Sequence, residues 1–363
     1  MLALQNEKLV GTGGRFRTRS SEEGILVSTG IACWFVADTE DERTDFPQVG
    51  GASHTREFQS VYWRCVLCFY AASAKVNSDR RHMFFTNSPL PWVDGVELER
   101  HLQRLNVEVV RLPIVHRLPA GFVNSWGNQF YIFDIVKYAA RMLTNERILV
   151  FDSDCLFLKP VDAMEAAIDT YGTLTYTLYL NDLPDRLVNG LGRRDLAMIA
   201  QRVFGLQTDF VHYAGGEIFA STVAECRALE PLIDRLWAHT IENGSGLFPH
   251  EEAHALSILY RAAGYADSTA NPFIKRIWTT LRKTTALRTD AGLTVWHLPA
   301  EKKSGFRTLF RDCINPHSEF SLTHDRNELL SYYGRVMGIP RRGPRKLSLD
   351  VAAKVWEGMC SLC

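Results

Sequence analysis

Hydrophobic and polar positions along this chain change period repeatedly. Short apolar runs, rich in β-branched and aromatic residues, occur at 25–36, 82–86, 107–112 and 147–151, each bounded by polar or turn residues. Runs of this length read as strands buried on both faces of a sheet. Between them, 58–74, 96–105 and 126–143 carry apolar residues at helical spacing. In the last of these, Phe130, Phe133, Ile135, Val136 and Tyr138 are expected to face the sheet. Strand and helix in alternation predict a parallel sheet with right-handed crossovers. Further on, the pattern predicts helices over 161–168, 195–204, 226–241 and 253–263 and strands over 173–180, 271–278 and 293–298. A small-residue turn at 213–216 runs into a strand ending near 220. The fold class expected is α/β, a mixed, mostly parallel central sheet flanked by helices, with a helical C-terminal extension. The divisions are a loose arm over 1–24, a main domain over 25–310 and a partly basic extension over 311–363.

One strand ends unusually. The apolar run 148–151 stops at two carboxylates, Asp152 and Asp154, with Ser153 between them. A second apolar run, 155–158, follows at once, and Pro160 ends it. Acids inside an apolar stretch are costly to bury uncompensated. A divalent cation with oxygen ligands is the usual compensation, and ligands of open α/β sheets lie beyond the carboxyl ends of the strands. The plain alternative is a polar turn whose acids are solvated or cap a helix. Asp38 has a similar choice, between a nucleotide site at the carboxyl edge of the first strand and an exposed acidic loop.

Composition narrows the partners. Lys+Arg and Asp+Glu number 41 each, so no global charge favours nucleic acid. No run reaches the roughly 18–20 apolar residues of a membrane span, and the first 24 residues lack a signal-type apolar segment, so a cytoplasmic location is expected. Of eight cysteines, Cys65/Cys68 and Cys360/Cys363 form two CxxC pairs. A shared zinc site is one reading; reduced, buried thiols are the simpler one.

The order of the chemistry-bearing residues is more telling. The acid pair is followed by Tyr213-Ala-Gly-Gly216, then His250-Glu-Glu252, then His297-Leu-Pro-Ala-Glu-Lys-Lys-Ser-Gly305. In this order, over roughly 30–305, the chain resembles nucleotide-sugar glycosyltransferases of the GT-A fold, most of all glycosyltransferase family 8 and its relatives. The resemblance is most specific at Asp152-Ser153-Asp154 with its flanking strands. It implies that 25–310 is a GT-A catalytic domain. It further implies Mn²⁺ or Mg²⁺ held by Asp152, Asp154 and His297 against the diphosphate of a donor, with Lys302 or Lys303 on the phosphates. Gly215 and Gly216 stand where the family's Asn-Ala-Gly strand touches the donor sugar. Glu251 and Glu252 stand where an Asp-Gln-Asp segment approaches the reacting carbon. Lys137, on the helix before the acid pair, is a candidate to face the donor. Here Tyr213 replaces the family's asparagine, and the glycine and Pro-Trp pair of its His-x-x-Gly-x-x-Lys-Pro-Trp pattern are missing.

The implied activity is transfer of a sugar from a nucleotide donor, most simply a UDP-hexose, to an acceptor hydroxyl, with retention. Inversion would require a base near the acceptor, for which Glu251, Glu252 and Glu217 are candidates. The acceptor is expected to be a glycan, a lipid-linked sugar or a protein. A strand ending Asp-x-Asp also marks haloacid-dehalogenase-like phosphatases, although there the motif usually opens the domain. A non-catalytic sugar-nucleotide binder of the same fold is the third reading. Finally, the basic cluster over 335–346 beside an amphipathic stretch at 347–356 reads either as a solvated linker or as peripheral contact with the inner face of an anionic membrane.

Overall fold

The computed structural model describes residues 28–46, 49–123, 125, 127–178, 186–244, 246–344, 346–348, 350 and 351. The expected N-terminal arm, residues 179 and 180 of the 173–180 strand, the end of the 347–356 stretch and the Cys360/Cys363 pair lie outside these residues.

Six strands form the central sheet in the order β5-β2-β1-β6-β11-β8. The first four, β5 (Val107–Arg111), β2 (Arg81–Thr86), β1 (Ser28–Phe35) and β6 (Glu146–Phe151), are parallel. β11 (Ile218–Thr222) runs antiparallel to β6, and β8 (Thr173–Leu174) antiparallel to β11. Period-two alternation divides the side chains between two cores. Ile31, Cys33, Phe35, Leu149 and Phe151 enter one; Ala32, Ile148 and Val150 enter the other.

Helices cover both faces, which is why the central strands are apolar throughout. On the first face lie α1 (Arg56–Val76), α2 (Leu98–Arg104), α4 (Asp162–Tyr171), α8 (Gly305–Ile314), α9 (Glu319–Leu322) and α10 (Arg326–Met337). On the second lie α3 (Tyr131–Met142), α5 (Arg193–Phe204), α6 (Val223–Glu242) and α7 (Glu252–Ala263). Cys65 and Cys68 are buried in α1 within the first core, as free thiols.

A second, three-stranded sheet positions the site. It has the order β12-β13-β7, with β7 (Cys155–Phe157), β12 (Ile274–Arg276) and β13 (Val295–His297). The strand expected over 173–180 divides, β8 joining the main sheet and β9 (Thr177–Leu178) pairing with β10 (Tyr213–Ala214). The helix expected from 96 begins at Leu98, because β4 (Val96–Glu97) folds back on β3 (Trp92–Val93) through Asp94 and Gly95, both at positive φ. Asp-Gly is a favoured pair for such a turn.

The C-terminal region departs from expectation in two ways. The boundary expected at 310 falls within α8, and Phe306, Phe310 and Tyr333 share a core with Ile31 and Phe151. In the basic stretch, Arg335 pairs with Glu319, Arg342 with Asp350, and buried Lys346 with Glu301 and Asp350. Much of the charge expected to meet a membrane is thus neutralised internally. Among the described residues no helix is long and apolar enough to cross a membrane.

Candidate metal and sugar-nucleotide site

Two sheets meet at the end of β6. The Asp152 N–H donates to the Glu217 carbonyl (3.1 Å) and the Cys155 N–H to the Asp152 carbonyl (3.2 Å), turning the chain sharply from β6 into β7. β7 then pairs antiparallel with β13, with His297 opposite Cys155. The Leu298 N–H donates to the Asp154 carbonyl (3.0 Å), locking that register. Backbone pairing therefore brings His297 to the acids although 143 positions separate it from Asp154. His297 Nε2 lies 3.2 Å from Asp154 Oδ2 and 3.4 Å from Asp152 Oδ2. One ligand atom from each of the three residues lies within 4.8 Å of the others. Neither ring nitrogen of His297 makes a hydrogen bond of good geometry among the described residues, although both are buried.

Lys302 completes the cluster. It follows the 3-10 turn Pro299–Glu301 and donates from Nζ to Asp154 Oδ2 at 2.5 Å. The turn is held by Glu301, which accepts from Ser304 Oγ (2.7 Å), Gly305 N (3.1 Å) and Lys346 Nζ (2.6 Å). Behind His297 stands Glu217, fully buried, with Oε1 3.4 Å from His297 Nδ1. Arg276 sits beside His297 in the β12–β13 register and donates to both Glu217 oxygens (2.9 and 2.5 Å).

These contacts set the charges. Burial lowers the pKa of His297, but Asp154 and Glu217 outweigh it and raise it to about 9. Burial raises Asp154, but Lys302 and His297 outweigh it and hold Asp154 below the usual carboxylate range. Burial likewise raises Glu217, but Arg276 and His297 bring it down to about 2. For Asp152, burial raises the pKa, His297 lowers it and Asp154 raises it again, for a net rise to about 6. With 32% of its side chain open to the cavity, water moderates that rise.

The cavity at this point has a volume of about 480 Å³. Aromatic residues Trp34, Tyr62 and Trp278 wall it, and Glu251 and Glu252 close its far side at the start of α7. Burial raises Glu251 to about 7 despite a hydrogen bond from Asn189. Burial raises Glu252 well above the usual range, and the charges of Glu251 and Asp152 add to this. One buried oxygen of Glu252 has no hydrogen-bond partner among the described residues.

Gly215 and Gly216 leave room for these acids. A Cβ on Gly216 would come within 2.1 Å of Glu252 Oε1. A Cβ on Gly215 would come within 2.1 Å of Glu217 Oε2 and 2.7 Å of the Tyr176 ring. Gly215→Ala is therefore expected to cost about 1–3 kcal/mol, the usual range for overpacking. The measurement is the urea midpoint, and an unchanged midpoint would show that Glu217 moves aside freely.

The other candidates fall into two groups. Asp152, Ser153, Asp154, Glu251, Glu252, His297 and Lys302 line one cavity. Asp38 stands behind the wall, accepting from Arg117 Nη1 (2.9 Å) and from Asn128 Nδ2 (3.1 Å), and Asn128 lines the cavity in its place. Lys137 is placed elsewhere: the helix register turns it to α6, where it pairs with Asp234. Lys303 points away from the acids into a separate cavity, because adjacent residues of the turn diverge. Arg276 escaped sequence reasoning, since nothing local marks a basic residue on a short strand. Glu217 was legible only as a possible base, not as the partner of His297.

No protein-family model matches the chain, and no curated protein matches it. Among solved structures, a crystal structure of an active-site mutant of LgtC is similar over 74% of this chain and 86% of that one, at 10% identity and a TM-score of 0.40. A likeness at that level says nothing about chemistry, which rests on the residues themselves.

Proposed function

We propose that this protein is a glycosyltransferase that binds the diphosphate of a nucleotide-sugar, most simply a UDP-hexose, through a divalent cation, and passes the sugar to an acceptor hydroxyl with retention. The observation that carries this reading is the convergence of Asp152, Asp154 and His297, with Lys302 beside them, at the carboxyl end of β6. Two carboxylate oxygens and an imidazole nitrogen suit Mn²⁺ or Mg²⁺, and the buried Nε2 of His297, turned to both acids with Nδ1 facing Glu217, fits a ligand's role. When bound, such an ion neutralises charge on the departing diphosphate.

The chain's own groups do the remainder. Lys302 donates to Asp154 and lines the cavity, where its charge would meet the phosphate oxygens of a donor. Glu217 orients His297, and Arg276 keeps Glu217 ionised. Glu252, held protonated, offers an O–H donor to a sugar hydroxyl rather than a base. Glu251, raised to about 7 in the same cavity, is the base that inversion would use.

Thermal-shift measurements test the reading. A UDP-hexose with Mn²⁺ at about a hundred times Kd should stabilise the chain by roughly 2.7 kcal/mol. Either component alone should do little. Stabilisation by the nucleotide-sugar unaffected by EDTA would count against the proposal, and turnover of simple phosphate esters would favour a phosphatase.

pH supplies an independent check. His297 must lose its proton to bind a cation, and its pKa is raised to about 9. Mn²⁺ affinity should therefore climb from pH 6 and level off above about 9, with close to one proton released per ion at neutral pH. Calorimetry in buffers of different ionisation enthalpy reads both quantities. A flat profile would remove His297 from the ligand set.

A further inference from the structure

A second cavity, of about 980 Å³, lies on the other side of the turn that carries Lys302. It is bordered by α8, α10 and residues 339–344, and nothing in the proposed reaction uses it. The turn divides the two spaces, Lys302 entering the first and Lys303 the second. Its walls include the apolar surfaces of Leu287, Trp296, Val336, Ile339 and Pro340.

Its polar lining is strongly basic. Arg307 and Arg311 lie one turn apart on α8, and Lys303 comes just before the helix. Arg288 approaches from the 3-10 turn Arg288–Gly292, and Arg341 from the opposite side. Arg335 and Lys346 also reach the cavity but are ion-paired with Glu319, Glu301 and Asp350. The three carboxylates in the lining are already engaged: Glu319 by Arg335, Asp350 by Arg342 and Lys346, and Asp312 by the Tyr332 hydroxyl at 2.5 Å. Seven cationic side chains thus face three committed acids, in a chain whose charges balance overall. Like charges one helical turn apart destabilise a helix. An anion drawn into the cavity would reverse that cost, and guanidinium forks match phosphate oxygens. The volume lies within the range for small-molecule sites.

We propose that this cavity is a metal-independent binding site for an organic phosphate, its phosphate held by Arg307 and Arg311 with Lys303, and its apolar part against Trp296 and Val336. Lys303 thereby belongs to this second anion site and not to the donor's diphosphate.

Calorimetry with inorganic pyrophosphate and the full chain in EDTA tests the proposal, since chelation removes any cation-mediated binding at the acid–histidine site. Saturable binding of one pyrophosphate per chain, weakening with salt, is expected. Arg307→Ala/Arg311→Ala should lower the affinity at least about tenfold. Arg341→Ala, on a separate element, should lower it as well, whereas Lys137→Met, on the other face of the sheet, should leave it unchanged. Vesicles containing phosphatidic acid distinguish the sources of phosphate. Co-sedimentation that the double variant loses assigns the phosphate to a lipid headgroup, and pyrophosphate binding without co-sedimentation assigns it to a soluble ester. The proposal is overturned if the wild-type chain shows no saturable binding. It is also overturned if both arginine variants, folded by thermal melt, bind pyrophosphate as the wild type does.

Discussion

Asp154→Ala is expected to abolish Mn²⁺-dependent binding of UDP and, at the same time, to destabilise the chain by about 3–5 kcal/mol. A carboxylate that served only as a metal ligand could be lost without cost to the fold. In the structure Asp154 is also the counter-charge of two buried cations. Its side chain is 1% exposed, Lys302 donates to it, and His297 lies 3.2 Å away. Removing the carboxylate strands both cations in a dry site, and an unpaired buried charge costs more than the pair contributed. Asp152 provides the contrast, because its open side chain and longer contact to His297 make Asp152→Ala nearly neutral for stability. Both variants should lose the metal. Adding Lys302→Met to Asp154→Ala removes one of the stranded cations and should recover about half of the lost stability. Metal-dependent UDP binding should stay absent. Urea unfolding and calorimetry on the same four proteins separate the two effects. Asp154→Ala that still binds UDP with wild-type metal dependence would sink the assignment.

The main sheet was legible because its strands are buried on both faces, so uniform apolar runs such as 148–151 mark them without ambiguity. The acid pair was legible because a charge at the end of such a run has no structural excuse. What pattern could not supply was the three-stranded sheet. β12, β13 and β7 have three residues each, too short for periodicity to register. Their pairing alone decides that His297 and Arg276 stand beside Asp154. The fate of the two lysines shows the same limit, since residues 302 and 303 are chemically equivalent in the sequence and only the geometry of the turn separates them. Lys137 failed for a related reason: a helix register uncertain by a turn turns a side chain from the sheet edge to a neighbouring helix. The ion pairs of the basic C-terminal stretch were not legible because its acidic partners, Glu301, Glu319 and Asp350, are spread along the chain.

Glu217→Gln is expected to weaken Mn²⁺ affinity by about 10–100-fold, the usual effect of losing a carboxylate that orients a ligating histidine. The Glu217 carboxylate faces His297, and its contact with Asp152 is through the backbone, which the substitution leaves in place, so the effect runs through the ring. The amide keeps the shape of the side chain and one acceptor for Arg276, so the fold should survive. Glu217→Ala is harsher, because it leaves the Arg276 guanidinium without its bidentate partner, and it should cost about 3 kcal/mol or more. The pH dependence identifies the cause. Glu217 and Asp154 together hold the pKa of His297 near 9 against burial, which pulls it down. Without the Glu217 charge, the proton leaves His297 more readily, so Mn²⁺ affinity should reach its plateau at a lower pH while remaining weaker at that plateau. A merely structural glutamate would change stability and leave the midpoint of the profile in place. An unshifted midpoint with unaltered affinity in Glu217→Gln would confine Glu217 to its ion pair with Arg276.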